Sequence, residues 1–348
     1  MRVLWITPGF APNESMVNSI PPMQLLAKAL VARGIELEII AINFPYTGKP
    51  YLWNGIQVHS ACKFKTRKLR WINWIVSFYY AVKAYNAKPF QVIHSFWVGP
   101  AWLVGNRLSQ YLGVPHVNTL MGQDVLPSNK YLKYLKSYDY DDLIAISDFQ
   151  KQVLHQTTGK NLNHIIYWGI ARADVVYNLT PNRPIDILGC GSLIPLKNYE
   201  LWLEVVFKIA TKYPNIRAVL IGSGQMYKSL QAKIEQAGLT NQITIKEFIP
   251  RPDLLEMMAQ SKIFLHTANF EGFGMVMVEA YANGCKIVST PVGIANKIAD
   301  VGNNADELFL QVEENLFGKP HHTIYQTRFI EEVAYEYELV YSNKIYVK

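Results

Sequence analysis

Residues 263–280 read IFLHTANFEGFGMVMVEA, and the order of elements in this stretch decides the fold. Its short apolar run predicts a β-strand over 263–266, and the pattern after the loop predicts a helix over 274–283. A strand that leads through a loop into a helix is one βα unit of a parallel sheet. Ligands of such sheets bind beyond the carboxyl ends of the strands, where helix N-termini present free N–H groups.

The same alternation runs through the chain in two series, separated by a predicted linker over 178–184 that contains proline and asparagine. The first series has predicted strands over 3–7, 37–42, 92–95, 114–119 and 143–147, with a helix over 23–32. The second has predicted strands over 185–190, 218–221, 243–246, 263–266 and 286–289, with helices over 198–213, 228–237, 254–259 and 274–283.

We therefore predict an α/β protein with two Rossmann-like, doubly wound domains that face each other across a cleft. Residues 1–180 form the first domain and residues 181–326 the second. A charged amphipathic pattern near the end predicts a helix within 327–343 that packs back on the first domain. Half of the 348 residues are hydrophobic, which is enough for two cores.

Composition also limits the compartment and the partners. Cys62, Cys190 and Cys285 lie far apart, so we expect neither disulfides nor a zinc site, and a reducing compartment. The apolar run at 3–7 is too short for a signal peptide, and that at 71–82 falls short of the roughly 20 residues of a membrane span. We expect a cytoplasmic protein, soluble or attached to the inner face of a membrane. The net charge of +7 is compatible with an anionic small-molecule substrate, an anionic membrane or nucleic acid as the partner.

The loop in 263–280 carries the sharpest chemical signal. Gly272 and Gly274 allow the backbone to approach a ligand, and the first helix amides can donate to a phosphate or a sugar hydroxyl. The carboxylates of Glu271 and Glu279 can accept strong hydrogen bonds from sugar hydroxyls. The alternative is a solvated glutamate beside a helix cap. The candidate donor-binding residues here are Gly272, Phe273, Gly274, Met275, Val276 and Glu279.

Two glutamates with seven residues between them, the first in Glu-Gly-Phe-Gly, resemble the donor-binding motif of glycosyltransferase family 4. The resemblance implies the GT-B architecture and retention of anomeric configuration. It further implies that Glu279 binds the donor ribose hydroxyls and that Glu271 contacts the transferred sugar.

A second loop, residues 189–198, is similar to the family's diphosphate-gripping loop. The resemblance implies that Lys197 lies on the diphosphate, with Ser192 where the family often has arginine. A solvated lysine at a helix start is the alternative. Ile249 lies where the family brackets the nucleotide base with backbone atoms, and Gly222 and Gly224 match a glycine turn. The resemblance covers about residues 185–293.

The first domain resembles the family more loosely. Residues 120–124 are similar to its His-Gly-x-Asp segment, with Met121 in place of the histidine and Asp124 retained. His94 and His116 are possible substitutes, although a histidine at a strand end is more often structural. Residues 17–19 (Val-Asn-Ser) stand where the family has paired glycines. The candidate catalytic residues are thus Glu271, Lys197 and Asp124; the acceptor-side candidates are Gly9, Phe10, Met121, Gly122 and His94.

Two further segments have competing interpretations. Asp139 and Asp141 have the Asp-x-Asp form of a metal site, but they precede a strand and so lie at the wrong edge of the sheet. We expect no metal and no cofactor, since Lys197 and helix dipoles can neutralise the leaving diphosphate. Residues 63–80 place five basic residues before an aromatic run. They predict either contact with an anionic bilayer or a core-packing helix with a solvated basic entry.

These features predict a metal-independent, hexosyltransferase-type enzyme that moves a sugar from a nucleoside-diphosphate sugar to a glycan or lipid-linked acceptor. Cell-surface polysaccharide or glycolipid biosynthesis is the expected setting. One alternative is a catalytically silent sugar-nucleotide-binding subunit, which Met121 keeps open. Another is a GT-B-shaped nucleotide-sugar epimerase. Nucleic acid is not expected as a partner, because the glutamates would repel its phosphates.

Overall fold

The computed structural model describes residues 1–16, 19–176, 182–318 and 325–346. The chain forms two compact units: the first unit is Met1–Gly169 with Arg328–Lys348, and the second unit is Ile170–Thr327. Val17, Asn18 and linker residues 178–181 lie outside the described residues. Across the described ranges, no helix combines the length and apolar character needed to cross a membrane.

The division at Gly169 differs from the expected boundary at residue 180. The reason lies in the partners of residues 170–176. The Val176 amide donates to Asn283 Oδ1 at 2.7 Å, and Asp174 forms an ion pair with Arg251, so this segment belongs to the second unit.

Among the described residues, the first unit holds an eight-stranded sheet in the order β3-β4-β2-β1-β5-β6-β7-β8. Neighbouring strands are parallel except for the β3–β4 hairpin, which the sequence analysis missed. Asn54-Gly55 is its two-residue turn, with positive φ at both positions, a known hairpin signal. The strands are β1 (Arg2–Gly9), β2 (Glu36–Phe44), β3 (Pro50–Trp53), β4 (Ile56–Ser60), β5 (Val92–Phe96), β6 (His116–Thr119), β7 (Leu143–Ala145) and β8 (His164–Ile165).

Helices cover the faces of this sheet, because each connection between parallel strands must cross back over the sheet before the next strand begins. α1 begins at Pro21 and α3 at Pro100, where a missing N–H loses no helical hydrogen bond. The helices of the first unit are α1 (Pro21–Ala32), α2 (Arg70–Ala87), α3 (Pro100–Leu112), α4 (Asp148–Thr158) and α11 (Ile330–Tyr346).

The C-terminal helix α11 packs against α1 and β5 within the first unit. Tyr341 Oη lies 2.6 Å from His94 Nδ1 and accepts from Trp5 Nε1 at 3.3 Å. Thr119 Oγ1 lies 2.8 Å from His94 Nε2 and 2.9 Å from Tyr337 Oη. Both nitrogens of His94 are thus engaged, and burial lowers the pKa of this imidazole. The expectation of His94 as an acceptor-side residue is therefore corrected: it is a buried anchor for α11.

The described part of the second unit holds a six-stranded parallel sheet in the order β11-β10-β9-β12-β13-β14. Five of its strands agree with the sequence prediction; β14 was missed because two residues carry no periodicity. Strands and helices are β9 (Ile185–Cys190), α5 (Tyr199–Lys212), β10 (Ala218–Ile221), α6 (Tyr227–Gln236), β11 (Ile243–Lys246), α7 (Arg251–Ala259), β12 (Ser261–His266), α8 (Met275–Ala282), β13 (Lys286–Ser289), α9 (Ala295–Ile298), β14 (Asp300–Val301) and α10 (Ala305–Phe317).

Tyr341→Phe removes the hydroxyl that the buried His94 and Trp5 share. Leaving such groups unsatisfied costs about 1–3 kcal/mol, so urea denaturation is expected to show a loss of unfolding free energy in that range. The matched control is Tyr335→Phe on the same helix, whose side chain is 49% exposed. Equal stability of the two variants would contradict an anchoring role.

Candidate active site

The polar residues of the second unit gather where the order of its strands reverses. From β9 the chain proceeds outward to β10 and β11, and then returns to the other side of β9 to form β12, β13 and β14. The loops after β9 and β12 therefore leave the sheet in opposite directions and open a crevice at the carboxyl ends of these strands. Lys197 comes from the first loop and Glu271 from the second.

These two loops are hydrogen-bonded to each other. The Asn269 amide donates to Leu196 O at 2.9 Å, and Thr267 Oγ1 donates to Asn198 O at 3.0 Å. Asn198 Nδ2 donates to Asn269 Oδ1 at 3.1 Å. These hydrogen bonds lie on both sides of Lys197 in the first loop and just before Glu271 in the second. They therefore fix the backbone from which both side chains extend.

Glycines allow the neighbouring loops to pack without side chains between them. A Cβ built on Gly222 would lie 1.9 Å from Gly191 O, and the Leu193 amide donates to Ser223 O at 2.8 Å. A Cβ on Gly293 would lie 2.2 Å from Phe273 O. The glycines therefore hold the loops after β9, β10, β12 and β13 in contact at the sheet edge.

Glu271 forms an ion pair with Lys197, and His266 Nε2 lies 3.1 Å from the same carboxylate. Burial alone would raise the pKa of Glu271, but His266 and Lys197 outweigh it and lower the pKa to about 2. Glu271 is therefore an ionised acceptor beside a cation. His266 was missed by the sequence analysis, although it ends the strand directly before the loop.

Glu279 belongs to a second cluster of charged side chains. Arg251 Nη2 donates to Glu279 Oε1 at 2.8 Å and to Asp174 Oδ2 at 2.9 Å, while Arg251 Nε donates to Asp174 Oδ1 at 3.2 Å. Burial raises the pKa of Glu279 despite this guanidinium, and the two carboxylates raise the pKa of Arg251 although its own burial opposes this. Neither partner is identifiable from the sequence, because no local pattern links Arg251 or Asp174 to Glu279.

The other donor-side candidates lie on the connections that follow β9, β11 and β12. Phe273 is buried, Met275 and Val276 begin α8 half-buried, Ser192 is exposed and Ile249 half-buried. Gly274 has φ of 90° and precedes α8, a conformation that favours glycine. Gly272 and Gly274 are buried in the loop that carries Glu271.

In the first unit, Asp124 braces the loops after β5 and β6. Its carboxylate accepts from the amides of Val98 at 2.9 Å, Gly122 at 2.8 Å and Met121 at 3.2 Å. Burial raises the pKa of Asp124 to about 6, against the lowering effect of these amides. Asp124 therefore holds the two loops together through these amides, and its catalytic role stays a prediction.

The remaining acceptor-side candidates divide between core and loop. Phe10 is fully buried and packs edge-to-face on Trp53, with ring centroids 4.9 Å apart, so the expectation that it faces an acceptor is wrong. Gly9 ends β1 and is also buried. Met121 and Gly122 lie half-buried in the loop that Asp124 braces.

The Asp-x-Asp segment lies in a 3₁₀ turn, Ser137–Asp142, directly before β7. Asp139 accepts from the Lys136 amide at 2.6 Å, and Asp141 accepts from Asn163 Nδ2 at 2.8 Å. Throughout the described ranges, no group of three or more His, Cys, Asp or Glu side chains is arranged to hold a metal ion.

Arg251→Met is expected to destabilise the second unit by about 3–5 kcal/mol at neutral pH, because it leaves Asp174 and Glu279 as buried carboxylates without a counter-charge. A carboxyl group with a raised pKa favours folding below its ordinary pKa and opposes it as the pH rises through the raised value. Burial already raises the pKa of Glu279, and loss of Arg251 extends this shift. The deficit relative to the parent is therefore expected to shrink at mildly acidic pH.

Urea denaturation at neutral and at mildly acidic pH measures this loss of unfolding free energy. The control is Arg217→Met, which removes an exposed guanidinium from the same unit. A deficit that is the same at both pH values would contradict the charged network.

Two adjacent stretches of the chain match known families. Residues 23–173 match Glycosyltransferase Family 4, and residues 174–308 match Glycosyl transferases group 1. An uncharacterized glycosyltransferase of Methanocaldococcus jannaschii is 27% identical over 281 residues, covering 78% of this chain and 75% of that protein. The GPI3 subunit of phosphatidylinositol N-acetylglucosaminyltransferase from Saccharomyces cerevisiae is 24% identical over 77% of this chain; the match spans 63% of that subunit, less than two thirds of its length.

Solved structures share the fold along the whole chain. A glycosyltransferase from Rickettsia africae matches 100% of this chain and 99% of its own, with a TM-score of 0.77 and 15% identity. HepE from Anabaena, solved in complex with UDP and glucose, matches 98% of this chain and 99% of its own, with a TM-score of 0.66 and 17% identity. With its two Rossmann-like units and its adjacent family matches, this chain belongs to the family 4 and group 1 glycosyltransferases of the GT-B fold.

Proposed function

We propose that the crevice at the carboxyl ends of β9 and β12 binds a nucleoside-diphosphate sugar and that the enzyme transfers its hexose to an acceptor. The observation that carries this proposal is the juxtaposition of one cation, Lys197, with the ionised carboxylate of Glu271 at the reversal of strand order. A phosphate needs the cation and a sugar hydroxyl needs the carboxylate. The two groups in contact suit a ligand in which sugar and phosphate are bonded to each other.

Lys197 acts on the diphosphate, helped by the first amides of α8 at Met275 and Val276. As the bond between sugar and phosphate breaks, negative charge grows on the departing diphosphate, and a fixed ammonium stabilises it without a metal ion. Ser192 adds a hydroxyl from the same loop as Lys197. We propose metal-independent transfer on this basis.

Glu279 binds the ribose hydroxyls of the donor. Its link to Arg251 and Asp174 supports this role, because a buried carboxylate held on one oxygen by a guanidinium keeps a defined orientation. Ile249 lies two residues before Arg251. The backbone proposed to contact the nucleotide base and the guanidinium that holds the ribose-binding carboxylate of Glu279 therefore belong to one short segment.

Glu271 stabilises the positive charge that develops at the anomeric carbon, for which an ionised carboxylate is required. Its low pKa, about 2, meets that requirement at any physiological pH. We propose retention of configuration, with a diphosphate oxygen accepting the proton of the acceptor hydroxyl. The first-unit residues support this choice: Asp124 is occupied by backbone amides and His94 by Tyr341 and Thr119, so neither serves as a general base.

The names of the similar proteins suggest the substrates to test first. HepE was solved with UDP, and the yeast relative acts on phosphatidylinositol with an N-acetylglucosaminyl group. We propose UDP-N-acetylglucosamine as the first donor to assay and a lipid-linked or glycan acceptor. Such an acceptor fits glycolipid or cell-surface polysaccharide biosynthesis by a cytoplasmic enzyme at the inner face of a membrane.

Lys197→Ala is expected to weaken UDP binding by about ten- to a hundredfold, because a charge-assisted contact contributes about 1.5–3 kcal/mol. Calorimetric titration of UDP into parent and variant measures the change. Lys228→Ala, which removes an exposed ammonium on α6, is the control and should bind like the parent.

The same titration with EDTA tests metal independence and should leave the parent affinity unchanged. Equal UDP affinity in the two lysine variants would contradict the site, and binding that disappears with EDTA would contradict the metal-free mechanism. Binding without turnover of any sugar nucleotide would instead favour a silent subunit.

A further inference from the structure

Helix α2 of the first unit is packed with its small face inward. Its buried residues are Asn73, Ser77, Ala81 and Ala84, which recur at helical spacing and face the sheet. A soluble surface helix normally buries its large apolar residues and exposes its polar ones. α2 departs from this pattern in part, because it leaves three large apolar residues exposed while others, such as Trp74 and Phe78, pack partly buried against the core.

Three large residues of α2 form an exposed stripe on the opposite side of the helix. Trp71, Ile75 and Tyr79 are 52%, 58% and 61% exposed. Together with α3, where Tyr111 is 67% exposed, they line a groove of about 580 Å³. Isolated exposed apolar residues are ordinary, but a contiguous apolar groove marks an interaction site. Its further lining residues are Trp74, Phe78, Val82, Leu103, Val104 and Arg107.

The sequence around the groove carries charge of one sign. Residues 39–123 contain nine lysines and arginines and not one aspartate or glutamate. Lys68, Arg70 and Lys83 lie exposed along α2 and its approach, and Arg107 lies exposed on α3. Aromatic and aliphatic side chains bordered by cations are the composition of surfaces that lie in an anionic lipid interface.

The basic approach to α2 is fixed to the helix. Asn73 Oδ1 accepts from the amides of Lys63 at 3.0 Å and Phe64 at 3.1 Å, and its Nδ2 donates to Phe64 O at 3.1 Å. A buried side chain therefore holds the segment that carries Lys63 and Lys65 against the start of α2, where Lys63 Nζ donates to Gly48 O at 2.8 Å and Lys65 Nζ lies 4.3 Å from the centroid of the Tyr46 ring.

We propose that this α2–α3 face docks on an anionic phospholipid bilayer, with Trp71, Ile75 and Tyr79 entering the interface and Lys68, Arg70, Lys83 and Arg107 contacting lipid phosphates. Charge decides against a second copy of this chain as the occupant, because two such faces would bring like charges together. The inference deepens the membrane location proposed above, yet its test needs neither donor nor transfer. Failure of the docking surface and failure of the donor site are therefore distinguishable.

Flotation of the full-length protein with phosphatidylglycerol–phosphatidylcholine vesicles tests this surface. The parent is expected to float with these vesicles and not with phosphatidylcholine alone, and to dissociate as salt screens the charges. Replacing Lys83 and Arg107 by Ser is expected to weaken binding about fivefold for each residue. Replacing Trp71, Ile75 and Tyr79 together by Ser is expected to abolish flotation.

Matched controls lie in the second unit. Leu310 and Phe317 on α10 are 59% and 54% exposed, and their replacement by Ser should leave flotation unchanged. Lys228→Ser removes an exposed charge of the same kind and should also have no effect. Circular dichroism and the urea denaturation midpoint verify folding of each variant.

Three results would overturn the proposal. The first is a parent that fails to float at low salt, and the second is an α2 variant that floats like the parent. The third is a parent that sediments as a dimer and becomes monomeric when Trp71, Ile75 and Tyr79 are replaced, which would assign the face to a second copy of the chain.

Discussion

The loops that follow two neighbouring parallel strands, β9 and β12, leave the edge of the sheet in opposite directions. The candidate site depends on this one topological constraint. Because the chain cannot cover the gap between the diverging loops, their polar groups remain available to a ligand. Hydrogen bonds such as that from the Asn269 amide to Leu196 O keep the two loops together below the gap. Lys197 and Glu271 thus meet although 74 positions separate them in the sequence.

Charge compensation explains how the second unit tolerates several ionised groups with little access to water. An isolated buried charge is costly, and pairing and hydrogen bonding offset much of that cost. Glu271 is paired with Lys197, and Glu279 and Asp174 share Arg251. The two groups have opposite consequences for acidity: the pKa of Glu271 is lowered and that of Glu279 is raised.

The sequence predicts the sheets well because β-branched runs and glycine-containing loops are local features, and the rule for parallel sheets brings Lys197 and Glu271 to one edge. It fails where partners come from far along the chain. Burial of His94 depends on Tyr341, 247 positions away, and no local pattern distinguishes it from a histidine open to a ligand. The clamp of Arg251 on Asp174 joins positions 77 apart in the same way. The β3–β4 hairpin is different, since its Asn54-Gly55 turn was readable from the sequence.

The central claim is that one crevice of the second unit binds the nucleotide through Glu279 and the sugar through Glu271. Parallel measurement of UDP affinity and steady-state transfer in Glu271→Ala and Glu279→Gln tests it most directly. Glu271→Ala should bind UDP nearly as the parent does while kcat falls strongly, because its contact matters only as charge develops on the sugar. Glu279→Gln should weaken UDP and raise KM, with a smaller fall in kcat. If both folded variants bind UDP and turn over like the parent, neither carboxylate serves a donor and the assignment of this site is contradicted.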